Sequence, residues 1–218
     1  MKKIIPLAAS FTLLFACESF GDISFTDNRS ATATASFEAT DFETEGYYYT
    51  NSIGSVSYYV TVTNNSEATV SVKGTANGFD ADGNVIAVKE MDIDVLGPGE
   101  TSIGSFWFGD SVGIENVEYS LEYEKEPNYL PVLSNLSVVA NVNDKNVTLS
   151  VTNNGTYNAQ FVEAYGLFFD ADNNLIYVDS GYIVDDDSEI KPGDTISGQI
   201  NCSAAFDHIE MFLTDRAS

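Results

Sequence analysis

Apolar and polar residues alternate one by one in two separate stretches of the chain, 56–63 and 147–152. A period of two residues is typical of a β-strand with one face buried and the other in water. Both stretches are followed by a pair of asparagines, a residue type that favours turns over strands. No stretch after residue 17 shows the roughly 3.6-residue period of an amphipathic helix. The pattern therefore predicts an all-β protein.

An internal repeat indicates that the chain contains two copies of one module. Four sequence blocks recur in the same order, displaced by about 90 residues. The pairs are 62–65 (VTNN) with 151–154 (VTNN), 79–86 (FDADGNVI) with 169–176 (FDADNNLI), 96–101 (LGPGET) with 190–195 (IKPGDT), and 116–118 (NVE) with 208–210 (HIE). A fixed order with small insertions is typical of an internal duplication. We name the copies module one (37–126) and module two (127–218).

The repeated blocks also predict where the chain turns. The Asp-Ala-Asp-Gly-Asn block lies between apolar runs and is typical of a hairpin, with Gly83 in a positive-φ conformation that Asn173 tolerates in module two. Pro98-Gly99 and Pro192-Gly193 fit the two central positions of a type II turn. Short strands joined by regular turns predict an antiparallel β-sandwich in each module.

The order of these blocks resembles the FxLYD-type immunoglobulin-like domains of bacterial exported proteins and is similar to the CARDB adhesion-related domains. The resemblance covers roughly residues 50–125 and 135–215 and consists mainly of turn motifs. It implies two tandem immunoglobulin-like sandwiches on a surface protein with no known catalytic role. Residues 124–131 contain two prolines and are predicted to form a short, stiff linker between the modules.

The N-terminus has the features of a secretory signal peptide (1–16). Two lysines follow Met1, and residues 4–16 then form an uncharged, mostly apolar run of thirteen residues. Spanning a bilayer takes about 20 apolar residues, so this run fits the apolar region of a signal peptide instead. It ends in LFAC (14–17), which resembles the bacterial lipobox and implies lipidation of Cys17. The alternative is an ordinary signal peptide in which Cys17 has no such role.

Lipidation of Cys17 would hold the mature protein on a membrane without spanning it, because two or more acyl chains give stable anchoring. Residues 17–36 are polar and rich in serine, threonine and alanine, and are predicted to form a tether. The predicted location is outside the cytoplasm, on the cell membrane or the outer membrane. Glu18 differs from the aspartate that resembles a signal for retention at the inner membrane.

Composition narrows the classes of partner. The formal net charge of −24 becomes −26 once residues 1–16, with their two lysines and no acid, are removed. Such a surface repels nucleic acids and anionic lipid headgroups and suits a basic partner or a cation-rich setting. Because 44% of the residues are hydrophobic and 12% aromatic, the chain is not a disordered acidic one. If Cys17 is lipidated, Cys202 has no disulfide partner. Cys202 is predicted to be a small core residue.

Calcium is the sharpest hypothesis for a bound cofactor. The EF-hand template requires glycine at position six and glutamate at position twelve, and neither hairpin block has them. A hairpin turn explains the same residues without a metal, so both interpretations stay open. The single histidine, His208, is predicted to begin a terminal strand, and no motif marks a catalytic site, so no enzyme activity is predicted. The oxygen-bearing residues are Asp80, Asp82, Asn84, Asp170, Asp172 and Asn174.

The two modules differ on one strand face. In the strand before the hairpin, one face carries mostly small residues in both copies and is predicted to pack on the opposite sheet. The other face is polar in module one but apolar in module two, where Phe161, Tyr165 and Leu167 are predicted to form an interface or ligand surface. The alternatives are a different strand phase, or a face that module one or a loop covers.

Together these features predict a non-catalytic, membrane-anchored lipoprotein that presents immunoglobulin-like modules for protein or glycan binding or adhesion. The main alternative is a structural or assembly lipoprotein of the cell envelope, and a further alternative is a calcium-binding surface module. A nucleic-acid partner is not expected because of the negative charge.

Overall fold

Antiparallel β-strands make up almost all of the regular structure. The computed structural model describes residues 36–109, 111 and 113–216, and there the strands are accompanied by two short 3₁₀ turns, Ala39–Asp41 and Leu133–Asn135. The all-β prediction is therefore confirmed. The predicted signal peptide, Cys17 and all but the last residue of the tether lie outside the described residues. Within the described part, no helix is long and apolar enough to cross a membrane.

Module one is a sandwich of two three-stranded sheets, ordered β1-β2-β5 and β4-β3-β6. All its strand pairs are antiparallel. The strands are β1 (Phe42–Thr50), β2 (Val56–Asn64), β3 (Val70–Phe79), β4 (Val85–Leu96), β5 (Thr101–Gly109) and β6 (Asn116–Lys125).

Module two repeats this strand order and adds one short strand, β11. Its first sheet is ordered β12-β8-β7, and in its second sheet β9 pairs with β13 on one side and with β10 and β11 on the other. The strands are β7 (Leu136–Val142), β8 (Asn146–Asn153), β9 (Ala159–Phe169), β10 (Leu175–Tyr182), β11 (Glu189–Ile190), β12 (Thr195–Asn201) and β13 (His208–Arg216). His208 begins a terminal strand, as predicted.

Each sandwich encloses its own core. In module two, Val162, Ala164 and Phe168 on one face of β9 have no exposed surface and pack among the buried residues of the other sheet. This confirms which face of β9 points inward. Cys202 belongs to the same core with 2% of its surface exposed, which confirms the prediction for that residue.

The first asparagine of each repeated Asn-Asn pair, Asn64 or Asn153, is buried and has a structural role. The Asn153 side chain donates hydrogen bonds to the carbonyl oxygens of Tyr157 (2.7 Å) and Ile190 (2.8 Å) and accepts one from the Gly155 amide (2.9 Å). Its backbone amide donates to Asp194, and its carbonyl accepts from Gly193. Asn64 makes the corresponding contacts in module one with Ala68, Leu96, Ser66, Gly99 and Glu100. The side chain therefore ties the strand end to the Pro-Gly turn.

Asn153→Ala is expected to destabilise the protein by about 3 kcal/mol, because it leaves the buried Ile190 carbonyl and the partly buried Tyr157 carbonyl and Gly155 amide without their partners. Urea unfolding followed by circular dichroism measures the change. The matched control is Asn154→Ala at the next, exposed position, which should cost less than about 1 kcal/mol. Equal effects of the two substitutions would contradict this account of the repeat.

Candidate functional site

The face of β9 that was predicted to be an interface packs against module one. Leu167 has no exposed surface, Tyr165 is half-buried, and both belong to a cluster centred on Ile103, Leu167 and Phe169. Ile103 lies in the β1-β2-β5 sheet of module one. We call this contact surface, between that sheet and the β10-β9-β13 sheet of module two, the seam. Residues 35–218, which hold both modules, form one compact unit.

Aromatic rings and hydrogen bonds join the two sides of the seam. The Tyr59 and Tyr165 rings lie edge to face with centroids 6.3 Å apart, a favourable arrangement for aromatic pairs. The Tyr47 hydroxyl donates to Glu210 Oε2 at 3.0 Å, and the Ser102 hydroxyl donates to the Leu213 carbonyl oxygen at 3.0 Å. Burial, then the Glu210 carboxylate, raises the pKa of Tyr47, so its hydroxyl stays protonated and donates across the neutral pH range.

The seam decides between the alternatives for the face of β9. Module one covers Leu167 and much of Tyr165, so Leu167 has no surface for an external partner. The same face of β3 in module one has no such cover and remains exposed or half-buried. The difference in polarity between the copies therefore reflects the docking of one module on the other. The residues of the uncovered face are Ser71, Lys73, Thr75 and Asn77.

Phe161, the third residue of the predicted interface, lies at the margin of the seam with 44% of its surface exposed. Its φ of 54° is unusual for a bulky residue and marks a bulge in β9. The Arg216 guanidinium lies 4.6 Å above its ring and bonds Asp94 Oδ2 of module one at 2.8 Å. Tyr129 of the linker lies on the same guanidinium, 5.4 Å from the ring centroid. This cluster clamps β13 to β4 and to the linker.

Beside this clamp the two modules form an open cleft of about 370 Å³. Four acidic residues line it, Asp92, Asp94, Glu163 and Asp215, and so does Arg216, which is paired with Asp94. Glu163 accepts hydrogen bonds from the hydroxyls of Tyr165 (3.1 Å) and Ser180 (2.9 Å). Tyr182, with 64% of its surface exposed, adds an accessible aromatic ring. An acidic, aromatic lining of this kind suits a cationic group better than an anionic one.

One of these acidic residues, Asp215 near the end of β13, is buried in the wall of the cleft. Asp215 is 8% exposed, and neither of its oxygens has a hydrogen-bond partner. Burial, and then the nearby carboxylate of Glu100 in module one, raise the pKa of Asp215 to about 8. The Val132 amide lowers the pKa somewhat, although it falls short of a hydrogen bond. Asp215 is therefore largely protonated at neutral pH.

Glu100 is the other buried acid at this point, with 4% of its surface exposed. Its two oxygens accept hydrogen bonds from the Gly97 amide (2.8 Å) and from the Ser134 amide at the start of module two (2.9 Å). Asp194, which occupies the same repeat position in module two, is exposed. Glu100 thus joins the Pro-Gly turn of module one to module two.

The sequence prediction missed Asp215, although the sequence contained a signal. Asp215 continues the inward-facing series Ile209, Met211 and Leu213 along β13, and the corresponding position in module one is Tyr123, which stacks on Phe42 at 3.8 Å. A charged residue where the repeat has a core aromatic residue is unusual. The closeness of Asp215 to Glu100, 115 positions earlier, has no comparable signal in the sequence.

The candidate calcium-binding residues lie in tight hairpin turns. Asp80 Oδ1 accepts hydrogen bonds from the backbone amides of Asp82 (2.9 Å) and Asn84 (2.8 Å), and the Asn84 side chain donates to both carboxylate oxygens. These bonds, the Asn84 side chain first, lower the pKa of Asp80. Gly83 takes a φ of 82°. The hydrogen bonds account for the spacing of these residues without a metal.

The same turn occurs twice more. Asp170 makes the corresponding bonds with Asp172 and Asn174, with Asn173 at a φ of 61°. Asp185 accepts from the amides of Asp187 and Glu189. Among the residues that the structure describes, no three histidine, cysteine, aspartate or glutamate side chains are grouped as metal ligands.

The two remaining chemically distinctive residues are His208 and Cys202, and the contacts of both are typical of a structural role. His208 stacks on the Phe169 ring with centroids 5.0 Å apart and lies 3.3 Å from Asp207 Oδ2. Burial raises the pKa of the Cys202 thiol, which disfavours the reactive thiolate. No protein-family model and no curated protein matches the chain.

Proposed function

We propose that the protein is an exported, non-catalytic lipoprotein, held on a membrane by Cys17, whose two sandwiches act as one body that binds a basic protein partner. The observation that carries the proposal is the N-terminal sequence, in which a charged start and an uncharged run lead directly to LFAC. A cysteine at the end of such a run, where the lipobox requires it, favours lipidation over an incidental cysteine.

The seam supports the part of the proposal that treats the two modules as one body. Apolar burial around Leu167, the Glu100–Ser134 bond and the Arg216–Asp94 pair all resist relative motion of the modules. Rigid presentation lowers the entropy lost when a partner binds. The polar groups that converge between the modules mostly bond to one another, which favours a structural role over a catalytic one.

The charge supports a basic partner. A mature net charge of −26 attracts basic surfaces over distances comparable to the Debye length. The cleft between the modules combines carboxylates (Asp92, Asp94, Glu163) with accessible rings (Phe161, Tyr182). Aromatic and charged contacts of this kind dominate the binding energy of many interfaces. We place the partner-binding site there.

The anchoring test is a Cys17→Ala substitution followed by fractionation. We expect the variant to leave the membrane fraction, because it lacks the site of acylation, whereas wild-type protein stays there after a salt wash. Cys202→Ala removes the other cysteine and should leave the distribution unchanged. Membrane retention of Cys17→Ala would show that the protein is not held by a lipid on that residue.

The partner test is crosslinking in intact cells followed by capture of the protein. In a Tyr182→Ala, Asp92→Asn variant we expect recovery of the main partner to fall about tenfold, the equivalent of about 1.4 kcal/mol of binding energy. The control is Tyr157→Ala, Asp172→Asn, since these residues are exposed but lie outside the cleft. Equal recovery with both double variants would place the binding site elsewhere.

A further inference from the structure

The β12-β8-β7 sheet of module two contains no charged residue. Its three strands consist of apolar residues, glycine and neutral polar residues. Charged residues make up 19% of the chain, and each of the other sheets carries acidic side chains. In a protein with a net charge of −24, a neutral sheet lets two copies approach without bringing acidic residues together.

Strand β7 is the free edge of this sheet. Among the described strands it pairs with β8 alone, and its residues 137–142 are all exposed. Val139 has 62% of its surface exposed. An edge strand offers unpaired backbone N–H and C=O groups to any strand that can lie beside it, and proteins commonly protect such edges with charged side chains. β7 has no such protection.

The corresponding edge of module one is protected. Strand β1 lies at the edge of the β1-β2-β5 sheet, and Glu45 of β1 pairs with Thr61 of β2. In module two, Val139 of β7 pairs with Ser150 of β8, and Ser150 occupies the repeat position of Thr61. Module one therefore has a carboxylate where module two has an exposed valine.

The backbone of β7 directs alternate residues to the free edge. The Asn154 amide donates to the Asn135 carbonyl oxygen (2.9 Å), and the Asn143 amide donates to the Asn146 carbonyl oxygen (3.0 Å). Successive residues of an antiparallel strand point their backbone groups alternately toward the partner strand and away from it. The odd-numbered residues therefore bond to β8, and the even-numbered ones point their N–H and C=O groups outward. The outward-pointing residues are Leu136, Val138, Ala140 and Val142.

The sequence of β7 is symmetric in polarity about Val139. If two β7 strands pair antiparallel with this residue at the centre, apolar residues lie opposite apolar ones and polar residues opposite polar ones. The even-numbered residues also lie opposite each other, so each of those pairs can exchange two backbone hydrogen bonds. The opposed pairs are Val139 with itself, Val138 with Ala140, Leu136 with Val142, and Ser137 with Asn141.

We propose that the protein forms a two-fold symmetric dimer in which β7 of one copy pairs antiparallel with β7 of a second copy, centred on Val139. The contact is self-complementary, as a two-fold axis requires. It joins the two neutral sheets into one continuous sheet, ordered β12-β8-β7-β7-β8-β12. Pairing through β7 requires neither the lipid on Cys17 nor the partner of the cleft, because the cleft lies against the other sheet of module two.

Cysteine crosslinking of the full chain in intact cells tests the pairing and its register. Val139→Cys places two thiols opposite each other in a non-hydrogen-bonded pair, with Cα atoms about 4.5 Å apart, a separation that a disulfide can span. With a mild oxidant we expect a product of twice the monomer mass, about tenfold more abundant than from Ser137→Cys, since Ser137 lies opposite Asn141. Co-expression of Ser137→Cys with Asn141→Cys should restore it. Wild type controls for the native cysteines.

Equal crosslinking of Val139→Cys and Ser137→Cys would overturn the proposal, because it would show random encounters instead of a fixed register. The absence of a crosslinked product from folded Val139→Cys would also overturn it. A product of any other mass would show that β7 pairs with a strand of a different protein and not with a second copy.

A charge at the centre of β7 provides a second, independent test. Val139→Glu introduces the residue type that module one has at this position, and it places two carboxylates directly opposite each other in the dimer, which is destabilising. In sedimentation of the full chain in detergent, we expect wild type to reach the dimer mass and the variant to associate at least about tenfold more weakly. The matched control, Glu45→Gln at the edge of module one, should sediment as wild type. A wild type that stays monomeric at every concentration, or a dimer that persists in Val139→Glu, would overturn the proposal.

Discussion

Asp215→Asn is expected to stabilise the protein at pH 7 by about 3 kcal/mol, although it removes a native side chain. The pKa of Asp215 is raised from 3.8 to about 8, chiefly by burial and next by Glu100. Each pH unit between the unfolded pKa and the working pH is worth about 1.4 kcal/mol, so the interval from pH 3.8 to pH 7 gives an upper limit of roughly 4.5 kcal/mol. Incomplete burial and the cost of burying the amide reduce this figure. The variant has no charge to bury at any pH.

The sign of the pH dependence follows from the direction of the shift. The unfolded chain releases the Asp215 proton near pH 3.8, whereas the folded chain keeps it until about pH 8. The contribution of this group to the free energy of unfolding is therefore at its maximum below about pH 4. It falls as the pH rises from about 4 to about 8 and is then constant. Urea unfolding at a series of pH values measures this. The free energy of unfolding of the variant should rise relative to that of wild type between about pH 4 and about pH 8. An equally large gain from Asp172→Asn, at an exposed position, would contradict this origin.

Leu167→Asp is expected to cost about 4 kcal/mol or more, and to separate the modules without dissolving either sandwich. Leu167 has no exposed surface, yet it packs in the seam cluster and not in the core of module two. A carboxylate there has no partner and breaks the apolar contact with Ile103. We therefore expect strand content by circular dichroism to persist, while urea unfolding splits into two transitions.

The repeat provides a matched control for this substitution. Asn77 occupies the corresponding position on β3 of module one, where no other module covers the face. Asn77→Asp should change the stability by less than about 0.5 kcal/mol, as is usual for substitutions away from buried features. Complete unfolding of module two by Leu167→Asp, as expected for Val162→Asp in the inner core, would show that the seam is part of that core.

Local features of the fold were predictable from the sequence. The alternation in β2 and β8, the Pro-Gly turns and the hairpin blocks all depend on near neighbours, and the repeat showed each of them twice. The inward face of β9 was also predictable, because small residues recur there in β3. Gly83 and Asn173 adopt the positive φ that their turns require.

The seam was only partly predictable. The apolar face of Phe161, Tyr165 and Leu167 was visible in the sequence. The surface that covers it lies about 60 residues away in β5 and more than 100 residues away in β1 and β2. The Glu100–Asp215 pair depends on how the modules dock, which no periodicity records. Glu100 and Asp194 have the same turn motif and opposite burial. Contacts distant in the sequence therefore set the chemistry of the site.

The mass of the N-terminal peptide of protein purified from membranes tests the central proposal most directly. We predict a mature chain that begins at Cys17, lacks residues 1–16 and carries the added mass of two or more acyl chains on that residue. A chain that begins at any other residue, or at an unmodified Cys17, would contradict the proposal that this protein is a lipid-anchored body.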